Sequence, residues 1–395
     1  MKSPLNEKLR AWWSHRQALD GRMANAAPAD VLAQTGWARS VGGVGPYLTL
    51  LSRAGTTREA ADQGVTRLEI HELPCARGCT YVVPASDFAF ALKAGAAFGS
   101  GDMKVALKLG VTEKEIDKLC AAVIDALAKG PMEPDEIRAA TGNASRSLGE
   151  EGKKKGLTTT LPLALGKLQT TGDIRRIPTN GRLDQQRYRY TLWRPNPLAK
   201  CKMTTEEIHT ELARRYFQWI GPATQAELQW FTALNGRDTK ASLAALKLEK
   251  LEGDKLILAE DRDAFESFQV PKQAHYVLTS SIDGLSLLRR DLQSLLDPAD
   301  AANPLLQSTG RGQSLLDLPN HAIFDRGRLV GLWEYDPSTE SIAWVSFIPR
   351  NKELEKAVAR TEDYVRTQLG DARSFSLDSP KSRIPKIEAL RQAAK

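Results

Sequence analysis

A helical pattern written twice constrains this chain more than any other feature. Gly130-Pro131 is followed by Met-Glu-Pro-Asp and then Glu136-Ile137, and Gly221-Pro222 by Ala-Thr-Gln-Ala and then Glu227-Leu228. Apolar residues at helical spacing precede each Gly-Pro: Ile116, Leu119, Val123 and Leu127 in one copy, Ile208, Leu212, Tyr216 and Ile220 in the other. After each break a second helical stretch runs to a turn, Gly172-Asp173 and Gly253-Asp254, and a β-rich segment follows. Helix, break, short helix, longer helix and hairpin is the outline of a winged helix. Its recurrence makes nucleic acid the first partner to consider.

The 395 residues leave room for further domains. An N-terminal block, 1–106, opens on a basic aromatic helix and holds a glycine-rich stretch from Gly36 to Pro46. Thr56-Thr57-Arg58-Glu59 reads as a capping box, and Leu68 to Leu73 and Cys79 to Val83 as a small hairpin. This block reads as a third, divergent winged helix. The clear copies occupy 107–200 and 203–278, with Thr112/Glu115 and Thr204/Glu207 as capping boxes. The first has its recognition helix at Thr159 to Thr171 and strands at Ile174 to Ile177 and Gln186 to Leu192, around an Asn180-Gly181 turn. Residues 279–395 read as a helix (Leu285 to Leu296), a loop (Leu305 to Pro319), alternating β segments and a charged helix (Lys352 to Leu369). The expected class is α+β: tandem winged helices followed by a small, β-rich, barrel-like C-terminal domain.

A net charge of +7 suits a nucleic-acid binder, and its distribution is more telling. Lys153 to Lys155, Lys167, Arg175, Arg176 and the run from Arg182 to Arg194 all fall in the first copy, whereas the second is balanced by Glu206, Glu207, Asp261 and Asp263. In Gln185-Gln186-Arg187-Tyr188-Arg189-Tyr190, period-two alternation puts both arginines on one face and both tyrosines on the other. Such a face can pair with phosphates; the plainer reading is an edge strand blunted by charge. The lysine run is either a phosphate clamp or a solvated loop.

His71, Glu72, Cys75 and Cys79 match no common zinc spacing, and a role in core or loop is expected. No P-loop, dinucleotide fingerprint, zincin helix or nucleophile elbow is present, so no cofactor and no metal are expected. Scattered cysteines, no signal-like N-terminus and no long apolar run fit a cytoplasmic protein without a membrane partner. With no evident dimerisation helix, a monomer is expected.

Over almost its full length the chain resembles the AlkZ-like (YcaQ-related) DNA glycosylases. The resemblance rests on Gly36-Trp37-Ala38-Arg39-Ser40 through Gly45-Pro46-Tyr47-Leu48-Thr49-Leu50, and on Arg77-Gly78-Cys79-Thr80-Tyr81-Val82-Val83-Pro84-Ala85. Gly221-Pro222-Ala223-Thr224 and Arg328-Leu329-Val330-Gly331-Leu332-Trp333 extend it. It implies tandem winged helices that hold bent, damaged duplex from one side and excise an alkylated or crosslinked base. The family's catalytic motif is Gln, an apolar residue, then Gln or Asp, which hold the attacking water. Here Ala38-Arg39-Ser40 stands in its place. Alanine cannot hydrogen-bond a water, arginine is only a donor, and Ser40 alone does not activate one. Either a carboxylate on the adjacent hairpin, Glu69 or Glu72, supplies the base, or the protein binds DNA without cleaving it. Candidate catalytic residues are thus Arg39, Ser40 and Glu72. Candidate DNA contacts are Arg39, Arg77, Lys167, Arg175, Arg176, Arg182, Arg187 and Arg189. A winged-helix transcription regulator is the remaining alternative.

Overall fold

The computed structural model describes residues 4–96, 98, 100–306 and 316–394. Most of the expected loop at Leu305 to Pro319 therefore lies outside the described residues. Helix α1 (Pro4–Arg16) precedes a unit of α2 (Pro28–Thr35), β1 (Ala38–Arg39), α3 (Gly45–Ala54), α4 (Arg58–Thr66), β2 (Ile70–Pro74) and β3 (Thr80–Pro84). Two linking helices, α5 (Phe88–Ala96) and α6 (Ser100–Lys108), lead into a second unit. It comprises α7 (Glu113–Leu127), α8 (Pro134–Thr141), the short α9 (Gly149–Lys154), α10 (Leu161–Thr170), β4 (Ile174–Pro178) and β5 (Tyr188–Leu192). A third unit has α11 (Thr205–Ile220), α12 (Gln225–Thr232), α13 (Gly236–Ala244), β6 (Leu248–Lys250) and β7 (Leu256–Leu258).

The three units share one wiring. In the first, β1 pairs with β3, which pairs with β2. The second and third reduce the leading strand to one residue just after Gly-Pro: Met132 bridges Tyr190 on β5, and Ala223 bridges Leu256 on β7. In each case the segment after the first helix joins the second strand of the hairpin. Side-chain caps fix the starts of several helices. Thr112 accepts from the Glu115 N–H, and Thr204/Glu207 and Thr224/Glu227 form reciprocal capping boxes. At α4 the cap is Thr57, accepting from the Ala60 N–H, rather than Thr56.

Past α14 (Arg262–Ser267), β8 (Tyr276–Thr279), α15 (Gly284–Leu287), β9 (His321–Asp325), β10 (Arg328–Asp336) and β11 (Ser341–Ser346) are followed by α16 (Lys352–Tyr364) and α17 (Pro380–Ala393). These strands form an antiparallel sheet in the order β11-β10-β9-β8. This corrects the barrel-like expectation: among the described residues the sheet is open, and four strands are too few to close around side chains. Helices pack on it instead, α17 on β10 and β11 and α16 on β8. The expected helix at Leu285 to Leu296 is also broken, with α15 ending at Leu287 and Arg290 at φ +49°. Arg289 turns inward there to meet Glu227 at 2.7 Å and the ring of Trp13 at 3.4 Å, and that anchor outweighs helical continuation.

One apolar core joins α1, α5, the third unit and the C-terminal sheet through Trp12, Trp13, Phe90, Tyr216, Phe217, Trp219, Phe231 and Phe324. Another joins the first unit to the sheet and α16 through Val31, Tyr47, Val82, Trp333 and Tyr364. The second unit has a core of its own, Ile116, Leu119, Val123, Ile137, Leu161, Leu165, Leu168 and Ile174. No helix is long and apolar enough to cross a membrane, among the described residues.

Candidate functional site

Residues of the replaced motif sit on β1, whose register sets Ala38 opposite Val82 and Arg39 opposite Tyr81. The Ser40 N–H donates to the Thr80 carbonyl at 3.0 Å and so prolongs the ladder by one residue. Glu72 lies on β2, beyond β3, also opposite Val82. Across that sheet the Ser40 hydroxyl donates to Oε1 of Glu72. Of the two carboxylates proposed for this place, Glu72 reaches it, and Glu69 instead faces Arg67 at 4.0 Å with half its side chain in solvent. Gln34 is exposed and accepts from Arg22.

The other oxygen of Glu72 pairs with Nη2 of Arg176 at 3.0 Å, and the Arg176 guanidinium lies 4.4 Å from the ring centre of Tyr188. Burial is the largest influence on Arg176 and works against its charge, but Glu72 together with Tyr188 and Tyr190 more than offsets it, and the pKa is raised. Burial raises the Tyr188 phenol as well, so the ring stays neutral against the cation. Ser40, Glu72, Arg176 and Tyr188 thus form a polar chain from the first unit into the hairpin of the second. It is almost sealed, with Ser40 2% and Glu72 3% exposed. Neighbouring His71 is sealed too, between Phe88 and Trp193, and burial aided by the charges of Arg175 and Arg176 lowers it to about 3. Cys75 is buried with its thiol 3.3 Å from the Leu73 carbonyl, and burial pushes its pKa up. Among the described residues no trio of histidine, cysteine and carboxylate is assembled around a metal-sized gap.

Candidate DNA contacts divide by what already holds them. Arg187 and Arg189 are exposed on the β4–β5 hairpin; Arg189 donates to the Pro131 carbonyl, and neither has a carboxylate partner among the described residues. Arg77 is exposed at the β2–β3 turn, at φ +60°, and stacks 4.3 Å over Trp230 of α12. Arg39 is half-buried, donating to the Thr80 carbonyl at 3.2 Å beside the Tyr81 ring. Arg175 is half-buried, and burial lowers its pKa. Lys167 meets Asp117 at 2.5 Å in a pair open to solvent. Arg176 is committed to Glu72. Arg182 is committed to Asp184 and to the Leu369 carbonyl at 3.0 Å. Lys153 of the lysine run lies on α9, 3.8 Å from Glu150.

The path from β4 to β5 departs from the tight hairpin expected at Asn180-Gly181. Gly181 adopts φ +76°, yet β5 starts at Tyr188, not Gln186. Tertiary anchors draw the intervening residues out of the ladder: the Leu183 N–H donates to the Tyr47 hydroxyl at 2.8 Å, and Arg373 donates to the Asp184 carbonyl at 2.9 Å. This loop thereby comes against Gly42. A side-chain carbon added at Gly42 would strike Gln186 and Ser376, and one at Gly43 would strike the Ser374 carbonyl. Sequence reasoning missed residues 373–376 as a neighbour of the motif; the Gly42-Gly43 pair, a signal of close backbone approach, pointed to some such contact. A separate cleft of about 660 Å³, lined by His15, Asp20, His275, Arg326 and Arg360 among others, includes no motif residue.

Comparison with known proteins follows the same outline. Residues 31–364 match the family model described as DNA glycosylase AlkZ-like. No curated protein matches the sequence. Among solved structures the fold is similar to Streptomyces sahachiroi DNA glycosylase AlkZ, with a TM-score of 0.70 and 20% identity, over 95% of this chain and 99% of that one.

Proposed function

This chain belongs to the AlkZ-like DNA glycosylase family, and we propose that it grips damaged double-stranded DNA with three winged helices, chiefly through the hairpin of the second. Three observations support the reading: the helix–strand–helix–helix–hairpin order, the short strand laid on the second hairpin strand in every unit, and the family match. The observation that carries it is the pair Arg187 and Arg189, exposed and free of carboxylate partners among the described residues. Arg175 shares the hairpin face of Arg187 and Arg189 by register, Arg39 and Arg77 supply further phosphate contacts in this reading, and Lys167 can trade its solvent-open pair for a phosphate at little cost. Arg176 and Arg182, already neutralised, brace the fold instead. The hairpin tip of the third unit, with Glu252 and Asp254 exposed, repels phosphate and faces away from the duplex in this reading.

The hydrogen bond from Ser40 to Glu72 favours a second reading, an active glycosylase. A water held by Ser40 would pass a proton to Glu72 as its oxygen bonds to C1′, and the base would leave with the electron pair of the N-glycosidic bond. Arg39 would stabilise the departing base. Burial of the dyad and its ion pair to Arg176 weigh against this, because the β4–β5 hairpin has to shift before water and sugar reach it. Incubation with duplexes carrying alkylated or crosslinked bases decides between the two. Binding without abasic product supports the leading proposal, and base release abolished by Ser40→Ala and by Glu72→Gln supports the second. Failure to retain any duplex contradicts both.

A further inference from the structure

Among the described residues four large apolar side chains are exposed: Leu107, Phe375, Leu377 and Ile384. Two of them share one turn, and Leu377, at 92%, is almost wholly in water. That turn is no loose tail. The Phe375 N–H donates to the Asp378 carboxylate at 2.9 Å, and the Asp378 N–H returns to the Phe375 carbonyl at 3.1 Å. The Ser376 N–H donates to the Val41 carbonyl at 3.0 Å, one residue past Ser40. The Val44 N–H donates to the Arg373 carbonyl at 3.0 Å, and the Ser281 and Ser374 hydroxyls meet at 2.9 Å. Arg373 then ties the turn to Asp184, on the loop that carries Arg187.

A single exposed leucine is ordinary, but two large apolar side chains on a rigid turn laid against the motif loop are not a random scatter. Proteins that kink or open duplex insert such side chains between base steps, and an extruded base leaves a gap of that size. Resting on the DNA-binding reading above, we propose that the Phe375-Ser376-Leu377 turn is a wedge. Leu377 enters the base stack, and Phe375 stacks on the neighbouring base. Backbone bonds to Val41 and Val44 hold it, so the wedge and the motif strand move together. Cationic Arg187 on the adjoining loop takes the phosphates that flank the opened step.

The test uses a duplex with one tetrahydrofuran abasic site flanked by 2-aminopurine, whose fluorescence rises on unstacking. The full chain should raise the signal on binding. Leu377→Ala, and more so the double variant with Phe375→Ala, should lose most of the rise and bind this duplex about tenfold more weakly. Leu107→Ala, as exposed as Phe375 but on α6, should behave as wild type. Because both turn side chains are exposed, the variants keep their fold, which an unchanged thermal midpoint confirms. Binding with an equal rise in wild type and Leu377→Ala overturns the wedge and leaves the DNA-binding reading intact, as does binding with no rise at all. Absence of any duplex binding overturns that reading and the wedge with it. A concentration-dependent dimer lost in Leu377→Ala, without a fluorescence effect, assigns the turn to a second copy of the chain and overturns the proposal.

Discussion

Glu72 is the residue on which the site turns, because it accepts from Ser40 with one oxygen and neutralises Arg176 with the other. Glu72→Gln keeps the shape and removes the charge, leaving a half-buried guanidinium without its partner. The expected loss is about 2 kcal/mol, below the usual range for a sealed pair because the Arg176 side chain keeps 18% exposure. A lowered urea midpoint checks it; a wild-type midpoint would assign the charge balance to solvent. His71 gives a pH signature. Between about 3 and the ordinary 6.5 the unfolded chain binds a proton that the folded chain refuses. Stability must then fall as pH drops through that window, by at most about 1.4 kcal/mol per pH unit. His71→Leu should flatten the dependence of thermal midpoint on pH, and an unchanged slope would place the acid sensitivity elsewhere. Its place on the hairpin adjacent to the replaced motif made Glu72, with Glu69, a candidate from sequence. Its partner was not legible, since nothing local to Ile174–Pro178 distinguishes an arginine that will meet a carboxylate on a distant strand from one that will meet phosphate.

Elements whose cause is local were legible. Thr204/Glu207 and Thr112 cap where the residues predict, and Gly-Pro separates the helices in both copies. Elements shaped by distant contacts were not. Residues 180–186, between the paired Thr179 and Arg187, leave the hairpin because Tyr47, Leu369 and Arg373 hold them, and the stretch after Leu287 loses its helix to the Arg289–Glu227 pair. Two arginines of that loop should consequently part company. Arg182→Ala frees the loop from Asp184 and the Leu369 carbonyl and is expected to cost about 1 kcal/mol. Arg187→Ala, exposed, should stay within roughly 0.5 kcal/mol of wild type. Thermal midpoints measured side by side check the contrast, and equal losses would contradict the roles assigned.

Across the whole molecule, the apolar faces were visible in sequence, but which units would share a core was not. The second unit keeps a core of its own, while α1, the third unit and the C-terminal sheet are fused through aromatic packing. Amides of α7 and α10 should therefore exchange with solvent through a shared opening of lower free energy than those of α11 and β10. A single exchange free energy throughout would contradict that division. The most direct test of the whole account is duplex affinity measured across a salt series for wild type, Arg187→Ala, Arg189→Ala and the double variant. Affinity should fall steeply with salt, and the logarithmic slope should flatten by about one unit for each arginine removed. Duplex binding that ignores salt, or slopes unchanged in all three variants, would contradict it.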